Sequence, residues 1–223
     1  MVQEFTPTGT GARQAFTVIN DGSTPLAVRV EMVHREVDIY GEETLRDASA
    51  LFTVFPQQMV VQPNSQQIVR VQWRGPAAVA QEQAFRIIAR QLPVDFQRPQ
   101  QDSRVSINIM FVYQGAVYVT PPQPRVDLVL DSVKRTVDQE GNPRLTFEFH
   151  NRGNVHTIVE NPVITVKSTS GGRVVSDITL SGEQLPGIHN SNVLAGNRRL
   201  VSIPWPDALS EGDLDATFSY TRR

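Results

Sequence analysis

The sequence predicts an all-β protein made of two successive β-sandwiches. Three observations carry that prediction: short apolar runs alternate with a period of two, clusters of Gly, Pro and Asn punctuate them, and no segment has the periodicity of a long amphipathic helix. A parallel α/β sheet would need helices between its strands, and those are missing. At 223 residues the chain is long enough for two modest cores.

Residues 1–12 hold Pro7, Gly9 and Gly11, a poor helix but a reasonable strand interrupted by a bend. Gln14 to Asn20 reads as a strand, with Phe16 and Val18 on one face and Ala15, Thr17 and Ile19 on the other. Asn20-Asp21-Gly22 is a turn signal. The alternation resumes at Leu26, Val28, Val30 and Met32, which predicts an antiparallel pair. After the polar turn at Tyr40-Gly41-Glu42, an apolar run from Leu51 to Phe55 stops at Pro56. Pro63-Asn64 turns the chain into Ile68 to Trp73, where Val69, Val71 and Trp73 share a face, and Gly75-Pro76 ends it. Residues 77–83 are expected to form a helical turn. Ala84 to Leu92 is the next strand, with Phe85, Ile87 and Ala89 opposite Arg86, Ile88 and Arg90, until Pro93 stops the ladder.

Val105, Ile107, Ile109, Phe111 and Tyr113 occupy every second position of the following run, so a strand places all five on one face. The run bends at Gly115 and continues through Val117 and Val119. A polar, Pro-containing stretch, Phe96 to Ser103, precedes it. A strand entered through such a loop can lie at a sheet rim, where its unused N–H and C=O groups would receive another chain; an ordinary core strand is the alternative reading.

Thr120-Pro121-Pro122-Gln123-Pro124 is the boundary between domains, since three prolines within four positions make a stiff connector with few backbone donors. The expected division is 1–120, a hinge at 121–124, and 125–223. The second part repeats the grammar of the first. Val126 to Val137 precedes Glu140-Gly141-Asn142, and Leu145, Phe147 and Phe149 alternate before Asn151-Arg152-Gly153-Asn154. Val163 to Ser168, Val174 to Leu180, Leu194 to Ile203 and Leu214 to Tyr220 are further strand candidates.

The composition limits the chemistry. A hydrophobic fraction of 39%, a charged fraction of 20% and a mean hydropathy of -0.26 describe a soluble folded chain. A net charge of -2 gives the whole molecule no strong field for nucleic acid or anionic lipid, and no run reaches transmembrane length. Lys134 and Lys167 are the only lysines, so the basic set is dominated by arginine, whose fork suits carboxylates and carbonyls. The absence of cysteine removes disulfides, thiolate metal sites and a Cys nucleophile without fixing the compartment. The opening Met-Val-Gln-Glu-Phe fits a cytosolic chain or an exported one written without its signal.

His34, His150, His156 and His189 have no metal-ligand spacing, although His150 and His156 could meet across a Gly/Asn turn. No phosphate loop and no G-x-S-x-G elbow occurs, and Glu36, Asp38, Glu42 and Glu43 read as solvated turn charges. Neither a catalytic site, a metal nor a cofactor is expected. Arg86 and Arg90 share a strand face and could clamp a partner carboxylate, or simply guard a sheet edge. Trp73 and Trp205 read as core or interface anchors.

The ordered features resemble the periplasmic pilus and fimbrial chaperones of the chaperone-usher pathway. The residues are Val18-Ile19-Asn20-Asp21, Phe55-Pro56, Val61-Gln62-Pro63, Ile68-Val69-Arg70-Val71, Glu82-Gln83-Ala84-Phe85 leading to Leu92-Pro93, and Val105 to Phe111 before the prolines. The resemblance implies two immunoglobulin-like domains in a boomerang arrangement, a periplasmic location and no stable insertion in the membrane. It implies that the partners are pilus subunits and an outer-membrane usher. By that resemblance Val105, Ile107, Ile109 and Phe111 match the donor motif that completes an unfinished subunit. Family members anchor the subunit carboxylate with an Arg in the first strand and a Lys near the end of the donor strand. Here Val2 and Ala116 fall near those positions and carry no cation, which the resemblance reads either as an incomplete amino terminus or as a divergent branch with another anchor, Arg86 or Arg90. An immunoglobulin-like adhesion or scaffold module without chaperone activity is the other expectation.

Overall fold

The computed structural model describes residues 1–94 and 110–222. They form β-structure almost throughout, with single 3-10 turns at Thr10–Ala12, Ser49–Leu51 and Gly182–Gln184. Contacts divide the chain into two compact units. One comprises Met1–Arg35, Leu45–Val79 and Gln83–Pro122, and the other Glu36–Thr44, Ala80–Glu82 and Gln123–Arg223.

The first unit is built on β1 (Val2–Phe5), β2 (Arg13–Asn20), β3 (Leu26–Val37), β4 (Glu43–Asp47), β5 (Phe52–Phe55), β6 (Gln58–Val61), β7 (Ser65–Trp73), β8 (Gln83–Gln91) and β9 (Val112–Val119). One sheet runs β1-β9-β8-β3-β4 with β6 also on β3, and the other runs β2-β7-β5. Their inner faces share a core in which alternation decides membership: Phe16, Val69, Val71 and Trp73 come from one sheet, and Val28, Val30, Met32, Phe85 and Ile87 from the other. Phe52 ties the layers together. Its ring meets Phe85 edge-on at 4.9 Å, Trp73 at 5.1 Å and Phe5 at 5.8 Å, drawing on both sheets. Each such pair adds about 0.5–1.5 kcal/mol beyond the area it buries.

Two sequence expectations fail along this part of the chain, each because of a partner distant in sequence. The antiparallel pair expected of β2 and β3 does not form, because β2 pairs with β7 while β3 pairs with β6 and β8 in the other sheet. The buried Asn20 explains the switch. Its Oδ1 accepts the Gly22 N–H at 3.1 Å, and its Nδ2 donates to the carbonyls of Thr24 at 2.8 Å and Val61 at 2.9 Å. The corner is thereby bonded to the end of β6, on the opposite layer. The helical turn expected over 77–83 is absent as well. There Glu82 sends its N–H to the Asn154 carbonyl at 2.8 Å, which leaves no helical bond for it to make.

The second unit holds β10 (Leu128–Val137), β11 (Pro143–Asn151), β12 (Thr157–Ser170), β13 (Arg173–Ser181), β14 (Asn192–Val193), β15 (Arg198–Pro204) and β16 (Asp213–Arg222). One sheet runs β10-β11-β15; the other centres on β12, flanked by β13, β14 and β16. Leu145, Phe147 and Phe149 alternate into the core as expected and are fully buried, against Ile164 and Val166 of the facing sheet. Asn151 repeats the device of Asn20. Its Oδ1 accepts the Gly153 N–H at 3.0 Å, and its Nδ2 donates to the carbonyls of Val155 at 2.9 Å and Val193 at 3.0 Å.

On the outer side of the β10-β11-β15 sheet, Asp131 sits at a bulge between Leu130 and Ser132. It gathers Arg152, Arg198 at 3.0 Å and His150 at 3.3 Å. Burial pulls its carboxyl upward, but the hydrogen bond and charge of Arg152, with His150 and Arg198, outweigh that and hold it below the usual carboxylate range.

Two stability predictions follow from these contacts. Replacing either corner asparagine, Asn20→Ala or Asn151→Ala, leaves buried carbonyls without donors and should cost about 1–3 kcal/mol in urea unfolding. A loss below about 0.5 kcal/mol would show that the corner is held by something else. For Asp131 the native carboxyl is more acidic than the unfolded one, so the unfolded chain binds more protons in between. Its contribution is therefore complete above about pH 4 and lost as the pH falls through the native value. Asp131→Asn should be the less stable protein near neutrality, and its deficit should shrink in unfolding curves taken at about pH 3.

Candidate functional site

A strand's backbone groups point alternately to its two neighbours, and in β9 those neighbours differ in length. On one side β8 pairs antiparallel along the whole strand, from Arg90 opposite Val112 to Gln83 opposite Val119. On the other side β1 pairs in parallel, and only with Ala116 to Val119. The N–H of Ala116 donates to the Met1 carbonyl at 3.1 Å and that of Thr120 to the Phe5 carbonyl at 2.9 Å, so even-numbered residues face β1. The Phe111 carbonyl accepts from Gln91 at 3.0 Å, so odd-numbered residues face β8. The N–H and C=O groups of Val112 and Gln114 therefore look onto a stretch of edge that no described strand pairs with. Such a row of donors and acceptors is a template for another strand.

The side chains change character at the same place. Odd-numbered residues lie on the face shared with Phe85 and Ile87, and Val117 and Val119 are fully buried in the core. Beyond Gly115 the same face is exposed: Tyr113 is 67% accessible and Phe111 54%, their rings stacked at 6.3 Å. Strand β9 runs unbroken through Gly115, so the expected bend is absent. The glycine answers to space instead, since a Cβ there would come within 3.0 Å of Ile87 Cγ2 and closer still to the Met1 side chain.

Of the residues singled out from sequence, Phe111 is described and exposed; Val105, Ile107 and Ile109 lie outside the described residues. Arg86 and Arg90 occupy the outer face of β8, as expected of alternation, but their settings differ. Arg90 lies 3.5 Å from Glu31, which Arg29 also approaches at 3.8 Å; an exposed pair of this kind is worth about 0–1 kcal/mol. Arg86 stands directly across from Ala116, which in turn stands across from Val2. The positions near Val2 and Ala116 are thus neighbours on adjacent strands, and Arg86 is the next residue in the row. Local sequence could not reveal this, because β1 finds its partner more than a hundred residues along the chain.

The histidines do not converge. His150 turns to Asp131, while the Nδ1 of His156 lies 2.7 Å from Glu82, whose carboxylate also takes the His156 N–H at 2.9 Å. Among the described residues no group of three or more metal-ligating side chains occurs, and no helix is long and apolar enough to cross a membrane. A second apolar surface lies on the outer face of the β2-β7-β5 sheet. There Ile19, Phe55 and Ile68 are exposed, and a shallow hollow of about 510 Å³ is lined by Phe55, Pro56, Gln66, Gln67, Ile68 and Arg70.

A family model described as pili and flagellar-assembly chaperone, PapD N-terminal domain, matches residues 7–125. Among solved structures, the class 5 fimbriae chaperone CfaA shares 10% identity over 97% of this chain and 94% of its own, with a TM-score of 0.57. The E. coli chaperone DraB shares 14% over 97% and 92%, at 0.54. The complex of CsuC with the tip adhesion subunit CsuE, from archaic chaperone-usher Csu pili of Acinetobacter baumannii, matches at 14% over 96% and 94%, also at 0.54. At these identities the likeness is one of fold. No curated protein matches the chain by sequence.

Proposed function

The chain belongs to the family of pili and flagellar-assembly chaperones, and from that premise we propose how it holds a client: it lends Val105, Ile107, Ile109 and Phe111 to the open groove of an incomplete pilus subunit. The observation that carries this reading is the half-paired edge of β9, with exposed Phe111 beside it. A subunit strand laid along Val112 and Gln114 would pair with backbone groups that β1 leaves uncovered, and the apolar face would fill the subunit's core. Four large apolar side chains contribute about 1.5–3 kcal/mol each before ordering costs, enough to hold an aggregation-prone client yet reversible by a competing strand. The work is complementation of a fold and needs no covalent step.

In the same reading residues 1–120 are the subunit-binding immunoglobulin-like domain, 121–124 the hinge and 125–223 a second such domain, the two set as a boomerang. The chain acts in the periplasm and delivers its client to an outer-membrane usher. The exposed Phe55 and Ile68 belong to the other sheet from β9, so they suit a delivery partner that must bind while the donor strand is occupied. Arg86, in the row with Ala116 and Val2, is the better placed of the two arginines to receive the client's terminal carboxylate.

The double substitution Ile107→Asp with Ile109→Asp tests this directly. Carboxylates entering an apolar groove should abolish co-purification with pilus subunits encoded beside this chain, while thermal unfolding of the chaperone itself stays unchanged. Loss of the chaperone's own fold would make both residues part of its core. Undiminished capture would place the client elsewhere and favour an immunoglobulin-like scaffold module.

A further inference from the structure

Tyr113 is the fifth residue of the alternating run and continues the pattern of Val105, Ile107, Ile109 and Phe111, yet the donor set stops at Phe111 and gives it no part. It pairs with Ala89, one step before Gly115 pairs with Ile87, and so lies on the core-side face of β9. It contributes nothing to that core. The buried cluster takes Val117 and Val119 from this strand and stops there, while the Tyr113 ring stays 67% accessible. An exposed aromatic on the inward face of a strand is costly to leave in water unless something covers it.

Three features say what covers it. The Phe111 and Tyr113 rings stack at 6.3 Å with planes 27° apart, giving one continuous two-ring surface. The backbone groups of Val112 and Gln114, which flank Tyr113, face the edge that β1 leaves unpaired. And Gly115 bounds the surface below, where a Cβ would press on Ile87 at 3.0 Å and on the Met1 side chain at 2.8 Å. A second strand paired at this edge would bring its own sheet over the two rings.

We infer that Tyr113 is a specificity-determining residue: the client cleft must end in an apolar mouth wide enough for an aromatic ring packed beside Phe111. This rests on the proposal that β9 lends its face to an incomplete pilus subunit, and it adds a requirement on that subunit. Subunits whose cleft is closed at this end by a bulky side chain are excluded. In this inference the ring does the recognising rather than the hydroxyl, because it is the ring that stacks on Phe111. Gly115 marks where the chaperone's own core ends and the lent face begins.

The test uses the full chain, co-expressed with each pilus subunit encoded beside it, and measures subunit recovered per chaperone. Tyr113→Ala should lower recovery about tenfold or more, as expected for one large side chain removed from a buried contact. Tyr113→Phe should stay close to wild type. Both variants should keep the wild-type unfolding temperature. If Tyr113→Ala captures as well as wild type while the Ile107→Asp, Ile109→Asp chain captures nothing, the strand is lent without Tyr113 and this inference falls alone. If the double-Asp chain also captures normally, the donor-strand reading falls and takes the inference with it. If Tyr113→Ala leaves capture intact but abolishes self-association of the client-free chain in sedimentation, the rings are covered by a second copy instead, and the inference is again overturned.

Discussion

The unequal pairing of β9 is the constraint on which the functional geometry depends. Backbone donors and acceptors must be bonded to something, whether protein or water. β8 satisfies one side of β9 along its whole length, but β1 is too short to satisfy the other and reaches only from Ala116 to Val119. The same strand therefore belongs to the molecule's own sandwich in its second half and, among the described residues, presents an unpaired ladder in its first. Gly115 stands at the change, small enough for Ile87 to pack against it.

Everything around that strand keeps it fixed. Phe85 and Ile87 root β8 in the core, Phe52 joins the two sheets through its edge-on contacts, and the buried Asn20 carries the chain from one layer to the other. The second unit uses the same corner with the same spacing. Asn20 and Asn151 each cap a glycine two residues on and a carbonyl four residues on. Each also reaches a carbonyl far along the chain, at a separation of 41 residues in one and 42 in the other. In both cases the strand that ends at the asparagine and the strand that follows it lie in different sheets. A buried primary amide can serve several backbone groups at once, which makes it an economical way to turn a corner through a dry interior.

Much of this architecture was legible because period-two alternation is a local property. Val69, Val71 and Trp73 share a buried face, as do Leu145, Phe147 and Phe149, and Arg86 and Arg90 fall on the opposite side from Phe85 and Ile87. What local pattern could not supply was partnership. Asn20-Asp21-Gly22 has the composition of a hairpin turn, and only the distant carbonyl of Val61 makes it a crossing between sheets. The expected helix at 77–83 lost to a bond with Asn154, again far away in sequence. Gly115 has the composition of a bend, but in an unbroken strand it leaves room for Ile87 of the neighbouring strand. The parallel pairing of β1 with β9 had no local signature at all, and it decides which part of the edge is open.

Amide hydrogen exchange on the free chain, and on the chain saturated with a pilus subunit, examines that edge most directly. The account predicts that the Val112 and Gln114 amides exchange fast in the free protein, unlike that of Ala116, and become strongly protected in the complex. If they stay fast in a saturated complex while protection develops elsewhere, this edge does not receive the client strand.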